Sequence, residues 1–231
     1  ATDRFAQFFI SPSLDPQYLD REKNAVHSEY SMKIKDEPRR INEVLKDTTN
    51  QAHPASQFSV GNLTTLADRD NDLLIEDLKA QYKKYYSSSR MALSLVGRED
   101  LDTLEKWARE KFSAIPNNGS KSLPTKTTPY LDEQLGVNIS ITPLKDNRTL
   151  SLNFPVPSSK KYVNEKPLDL ISSLLGHEGK GSLYSFLKEQ GYIESLSTYF
   201  YGPDDFELFD VTMELTPKGL EHYQTVTESV F

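Results

Sequence analysis

In the first part of the chain the hydrophobic pattern is mostly helical. Asp3-Arg4-Phe5-Ala6-Gln7-Phe8-Phe9 predicts a short helix over 3–10 with Asp3 as its cap, ended by Pro12 and Pro16. Asp15 or Pro16 opens a second helix through Glu22 and Glu29. A third starts at Pro38, a good first helical residue, and runs to Thr49. Residues 50–66 read as loop, through His53-Pro54 and Gly61-Asn62. Leu74, Leu78, Tyr82 and Tyr85 return to helical spacing over 73–86. The apolar run 91–97, closed by Gly97, predicts a strand. Leu101, Leu104, Trp107, Ala108 and Phe112 form the inner face of a helix over 100–112.

The pattern then breaks. Residues 116–134 are rich in Pro, Asn, Ser, Thr and Lys and have no period, the best boundary in the chain. Beyond it, 137–142 and 149–154 read as strands, 167–175 and 182–190 as helices. Residues 192–201 and 206–215 read as paired strands around Gly202-Pro203-Asp204-Asp205, and a final helix begins at Pro217. The fold class expected is α+β, with mainly antiparallel sheets and packed helices. The domain expectation is a first domain over 1–116, a linker over 117–136 and a second domain over 137–231.

Glu22 and Glu29 lie seven residues apart, close to two helical turns, so they stack on one face. Tyr18, Leu19, Ala25 and Val26 share that face, with Tyr30 and Met32 at its margins. Asp20, Arg21, Lys23, Asn24, His27, Ser28 and Ser31 occupy the other. Two acids in an apolar stripe need a positive partner, because a buried carboxylate is costly without one. Two readings stand. One is metal chemistry, since zinc accepts carboxylate oxygen beside imidazole nitrogen. The other is a helix with salt-bridged acids at an interface.

The histidines do not complete a metal site. His27 falls opposite Glu29, His53 precedes a proline in a loop, and His222 lies in the last helix. His177-Glu178 has no second histidine at helical spacing. Gly176-His177-Glu178-Gly179-Lys180-Gly181-Ser182 fails as a phosphate loop, because Lys180 precedes Gly181 and the segment joins two helices. It reads as a glycine-rich turn. No Gly-x-Ser-x-Gly elbow is present.

Composition narrows the classes. The 231 residues are 36% hydrophobic with a net charge of −7, which fits a soluble globular protein. No Lys/Arg stripe interleaved with aromatics points to nucleic acid. There is no cysteine, hence no disulfide, thiolate zinc site or thiol nucleophile. No apolar run is long enough for a membrane span. Both ends read as cut from a longer chain, and such a fragment is expected to self-associate through exposed half-interfaces.

Around Glu22 and Glu29 the sequence resembles the pitrilysin/insulin-degrading family of zinc metallopeptidases, the inverzincins. Arg21-Glu22-Lys23-Asn24-Ala25-Val26-His27-Ser28-Glu29 is similar to that family's Arg-Glu-x-Asn-Ala-Val-x-Ser-Glu segment. The resemblance continues through Asp3–Phe9, His53-Pro54, Gly61-Asn62, Tyr86-Ser87, Phe154-Pro155-Val156-Pro157 and Gly176-His177-Glu178-Gly179. It implies two pitrilysin-type α/β sandwich domains, both incomplete here. It implies that Glu29 is the third protein ligand of a catalytic Zn2+ and Glu22 a second, supporting carboxylate. The family's His-x-x-Glu-His is absent and expected upstream, so this piece alone is expected to bind no zinc and cleave nothing. The parent would be a zinc endopeptidase of peptides and small, partly unfolded proteins, with a periplasmic location suggested by the look of 32–47. A non-catalytic scaffold relative or a metal-free peptide-binding module are the alternatives. Carried over residue by residue, Gly176, Glu178, Leu196 and Thr198 would hold the substrate's N-terminal end, with the 195–199 strand pairing to it. Thr198 stands where relatives carry glycine.

Overall fold

The computed structural model describes residues 1–69, 73–121, 125–202 and 205–231. Parts of two expected features, the boundary segment at 122–124 and the turn at Pro203-Asp204, lie outside the described residues. In chain order the helices are α1 (Thr2–Ile10), α2 (Leu19–Lys33), α3 (Glu37–Asp47), α4 (Leu74–Tyr85), α5 (Leu101–Phe112), α6 (Pro167–Leu175), α7 (Leu183–Glu189), α8 (Pro217–Glu221) and α9 (Tyr223–Glu228). The strands are β1 (Thr149–Pro157), β2 (Ile193–Tyr201) and β3 (Phe206–Leu215). The chain is α+β. It forms two compact units, Ala1–Asp36 with Phe58–Pro124, and Glu37–Gln57 with Thr125–Phe231.

The first unit is helical. Phe5 of α1 packs edge-on against Phe9 and against Phe112 of α5, with ring centroids 5.1 and 6.4 Å apart. The Tyr82 hydroxyl of α4 donates to the carbonyls of Phe9 (2.8 Å) and Ile10 (3.0 Å), which the end of α1 would otherwise leave without partners. Asp3 does not cap α1; Ala1 occupies that position. Asp100 does cap α5, accepting the Thr103 N–H at 2.7 Å, and that bond holds its carboxyl below the usual range.

Two expectations fail here for one reason, the lack of a neighbour. The 91–97 run is not a strand, and Val96 is 92% exposed. A strand needs a partner to take its backbone hydrogen bonds, and none of the described residues pairs with this one. The same holds for 137–142 in the second unit. Leu101 is 83% exposed because it is the first residue of α5, whereas α1 reaches the other end, at Phe112.

The second unit is a three-stranded antiparallel sheet in the order β1-β3-β2. On one face Leu196, Phe209, Val211, Met213 and Leu215 form a core with Leu168 of α6, Leu187 of α7 and Val226 of α9. At the end of the sheet Thr216 caps α8, accepting the Gly219 N–H at 2.9 Å and donating to the Gly191 carbonyl at 2.7 Å. Gly219 lies so close to the Tyr192 backbone that a Cβ would stand 1.9 Å from its carbonyl oxygen.

The other face carries a polar row. Asp210, 2% exposed, accepts from Asn153 Nδ2 at 2.5 Å and is flanked by Tyr199. Burial raises the Asp210 carboxyl above its ordinary value, against the hydrogen bonds from Asn153 and Tyr199. Partial burial pushes the Tyr201 phenol up to about 12, and the Asp210 charge adds to it. At the start of β3, His53 is buried against Phe206; its Nδ1 accepts the Ala55 N–H at 3.0 Å, so Nε2 carries the proton that meets Asp205 Oδ2 at 3.1 Å. The loop histidine is thus a packing and capping residue.

Two predictions follow from this unit. Gly219→Ala must push α8 off Tyr192, and urea unfolding should show a loss of about 2 kcal/mol or more, in the upper range of overpacking. Asp210 has a folded-state pKa above its unfolded value, so the charged form opposes folding and protonation favours it. Between pH 7.5 and pH 4, wild type should therefore gain stability relative to Asp210→Asn as the pH falls. An unchanged difference across urea melts at the two pH values would refute this.

Candidate functional site

α2 is built by a 3-10 turn over Pro16–Tyr18, where Asp15 accepts the Gln17 N–H at 3.0 Å, and then runs straight through both glutamates. Its packing differs from the expected one. Leu19, Lys23, Val26, His27 and Tyr30 are the covered positions. Val26 meets the Gly61 and Leu66 turn, where a Cβ on Gly61 would come within 2.8 Å of Leu66 and 3.0 Å of Val26. Tyr30 stands edge-on to Phe58 and stacks on His27. Lys23 lays its stem along this surface, with its side chain only 14% exposed and its ammonium 3.7 Å from Asp20. His27, expected on the solvated face, is turned inward, and its Nδ1 is buried without a hydrogen-bond partner among the described residues.

That rotation leaves Tyr18, Glu22, Ala25, Glu29 and Met32 together on the exposed side. The two carboxylates are aligned as their spacing predicts, but in solvent, and they lie among apolar residues that nothing in their unit covers; Met32 is 73% exposed. Glu22 also lines a cleft of about 640 Å3 with Phe8, Ile75 and Leu78. Among the described residues no three His, Asp or Glu side chains converge as a metal site. The two glutamates offer carboxylate oxygens, a donor type that zinc accepts.

The second group of expected residues lies in the second unit, around the end of α6 and β2. Gly176 is the C-cap of α6, its N–H bound to the Ser172 carbonyl at 2.9 Å. A Cβ there would stand 3.0 Å from both the Ser172 carbonyl and Thr198 Oγ1, so the position requires a small residue. Glu178 is exposed on the following turn and does not cap α7; Ser182 does, accepting the Ser185 N–H at 3.1 Å.

Hydrogen-bond parity fixes what β2 offers. The Leu215 N–H donates to the Arg148 carbonyl on the β1 side, and the Thr216 N–H donates to the Tyr192 carbonyl on the β2 side. Alternate residues of β3 therefore serve opposite neighbours, and Glu214, Thr212, Asp210 and Leu208 serve β2. Their partners Ser195, Ser197, Tyr199 and Tyr201 use their backbone groups inside the sheet. Leu196, Thr198 and Phe200 turn theirs to the outer edge, where no strand among the described residues pairs with them. Leu196 thus has a buried side chain and an outward backbone, so any role in binding is a backbone role.

Ser172 is the residue that sequence reasoning missed. Its signal was its place four residues before Gly176, on the turn of α6 beneath the glycine. No helix among the described residues is long and apolar enough to cross a membrane.

Residues 72–231 match the family described as the peptidase M16 inactive domain. The chain is 36% identical to the insulin-degrading enzyme of Drosophila melanogaster and 34% identical to human nardilysin, in each case over its full length. It covers 24% and 21% of those proteins, so it spans under a quarter of their length. A crystal structure of pitrilysin superimposes with a TM-score of 0.96 at 31% identity, covering all of this chain and 25% of that one. With its expected α+β fold observed and the inactive-domain profile covering 160 of its 231 residues, 72 through 231, the chain belongs to the peptidase M16 family.

Proposed function

We propose that this chain is part of a zinc-dependent endopeptidase that cleaves peptides and small, partly unfolded proteins. The observation that carries the reading is the exposed face of α2, where Glu22 and Glu29 lie in register among Tyr18, Ala25 and Met32. A face of that composition suits an apolar helix that brings a cation. In the proposal that helix carries His-x-x-Glu-His, outside this chain. Glu29 supplies the remaining protein ligand, and Glu22, two turns earlier, orients the site. When bound, zinc polarises the scissile carbonyl and lowers the pKa of the attacking water. Among the described residues no complete donor set converges, and the chain alone is proposed to be inactive. Residues 1–116 belong to the catalytic domain in this reading, and residues 137–231 to a second domain joined by 117–136.

The second domain holds substrate. The exposed Glu178 carboxylate suits an N-terminal amine, and the outward groups of Leu196, Thr198 and Phe200 suit an added strand. The inactive-domain match favours a second reading, a non-catalytic scaffold, for residues 72–231. Glu22 and Glu29 lie outside that span, and a scaffold has no use for aligned acids in an apolar stripe.

The glutamates test the choice in the full-length protein. Glu29→Gln should lose zinc by elemental analysis and lose peptide hydrolysis with it. Glu22→Gln should keep most of the zinc while activity drops about 10- to 100-fold, the usual effect of a supporting carboxylate. Full zinc and full activity in Glu29→Gln would end the ligand assignment.

A further inference from the structure

The edge of β2 is not open along its whole length. An added strand needs the outward N–H and C=O groups of Leu196, Thr198 and Phe200 in turn. At the middle one, a side chain of α6 is already in place. The Ser172 hydroxyl lies 3.2 Å from the Thr198 carbonyl oxygen and 2.8 Å from Thr198 Oγ1, with one hydrogen to give to the two acceptors. The Thr198 hydroxyl returns a hydrogen bond to the Ser172 carbonyl at 2.9 Å. Gly176 closes the third side, with its N–H on the same Ser172 carbonyl and no side chain to part the two hydroxyls.

We propose that Ser172 and Thr198 form a clasp that blocks strand addition at the centre of the β2 edge and so limits the length over which a bound peptide pairs. The proposal rests on the substrate-strand reading of β2. A peptide that pairs at Leu196 meets the Ser172 hydroxyl where its next N–H should find the Thr198 carbonyl. To continue, it must displace that hydroxyl, exchanging one hydrogen bond for another with little net gain. The anchored end of a substrate is therefore held briefly, by its amine and a single stretch of backbone.

The clasp makes an unusual prediction, a gain of binding on loss of a side-chain group. The measurement is fluorescence anisotropy with the full 231-residue chain and an unstructured dodecapeptide labelled at its C-terminal end, with a free or an acetylated α-amine. Ser172→Ala frees the Thr198 carbonyl and should tighten binding about 3- to 10-fold, the factor worth one hydrogen bond. Ser172→Thr keeps the hydroxyl and should bind as wild type does. Acetylation and Glu178→Gln should each weaken binding in every background. Unchanged or weaker binding by Ser172→Ala, with acetylation and Glu178→Gln still weakening it, overturns the clasp and leaves the strand reading standing. No response to acetylation, Glu178→Gln or Ser172→Ala sinks the strand reading and the clasp with it.

Discussion

The second unit depends on β3 being hydrogen-bonded along both edges while its core face is sealed by helices. Phe209, Val211, Met213 and Leu215 point to that core, and Asp210 on the opposite face is buried as well. A strand buried on both faces has little freedom of register, because a slip of one residue would carry Asp210 into the apolar core and Val211 out of it. Asn153 and Tyr199 hold the Asp210 carboxyl from the two neighbouring strands, so the polar row fixes the same alignment from the other side. At the C-terminal end, Thr216 and Gly219 lock α8 onto the Tyr192 backbone and leave no room for a shift.

With that register fixed, the chemistry of the β2 edge is no longer adjustable. The pairings of Ser195, Ser197, Tyr199 and Tyr201 with β3 oblige Leu196, Thr198 and Phe200 to face outward. A substitution at these positions changes side chains and leaves the outward backbone groups where they are. Control over the edge must then come from neighbouring elements: Lys188 of α7 reaches the Glu194 carbonyl, and Ser172 of α6 reaches Thr198. Thr198 is informative here because its hydroxyl closes the contact with Ser172 that a glycine would leave open.

Much of this was legible in the sequence, for physical reasons that differ between elements. Helix α6 was readable to the residue, because Pro167 starts it and Gly176 ends it. The β2–β3 pair was readable because two runs rich in β-branched and aromatic residues flank the sequence Gly202-Pro203-Asp204-Asp205. The strands expected at 91–97 and 137–142 failed because an apolar run records a tendency to pair and not the presence of a partner. On α2 the expected stripe is split: Leu19 and Val26 are covered, whereas Tyr18, Glu22, Ala25 and Glu29 face outward. Lys23 and His27 counted as polar in the pattern, but a lysine stem and an imidazole ring both pack well, and the small Gly61 turn drew Val26 and Tyr30 toward it. Ser172 carries no motif and becomes meaningful only once the parity of β2 is known.

The correction on α2 changes what the proposed function has to explain. Carboxylates buried within their own unit would be structural ion-pair candidates, whereas Glu22 and Glu29 are presented outward beside Tyr18, Ala25 and Met32. The most direct test is an anomalous-difference map at the zinc absorption edge, from crystals of the full-length protein. The account predicts one zinc peak about 2.0–2.2 Å from a Glu29 carboxylate oxygen, with Glu22 close by but not bound to the metal. A zinc peak remote from α2, or no peak in crystals grown with zinc, would contradict it.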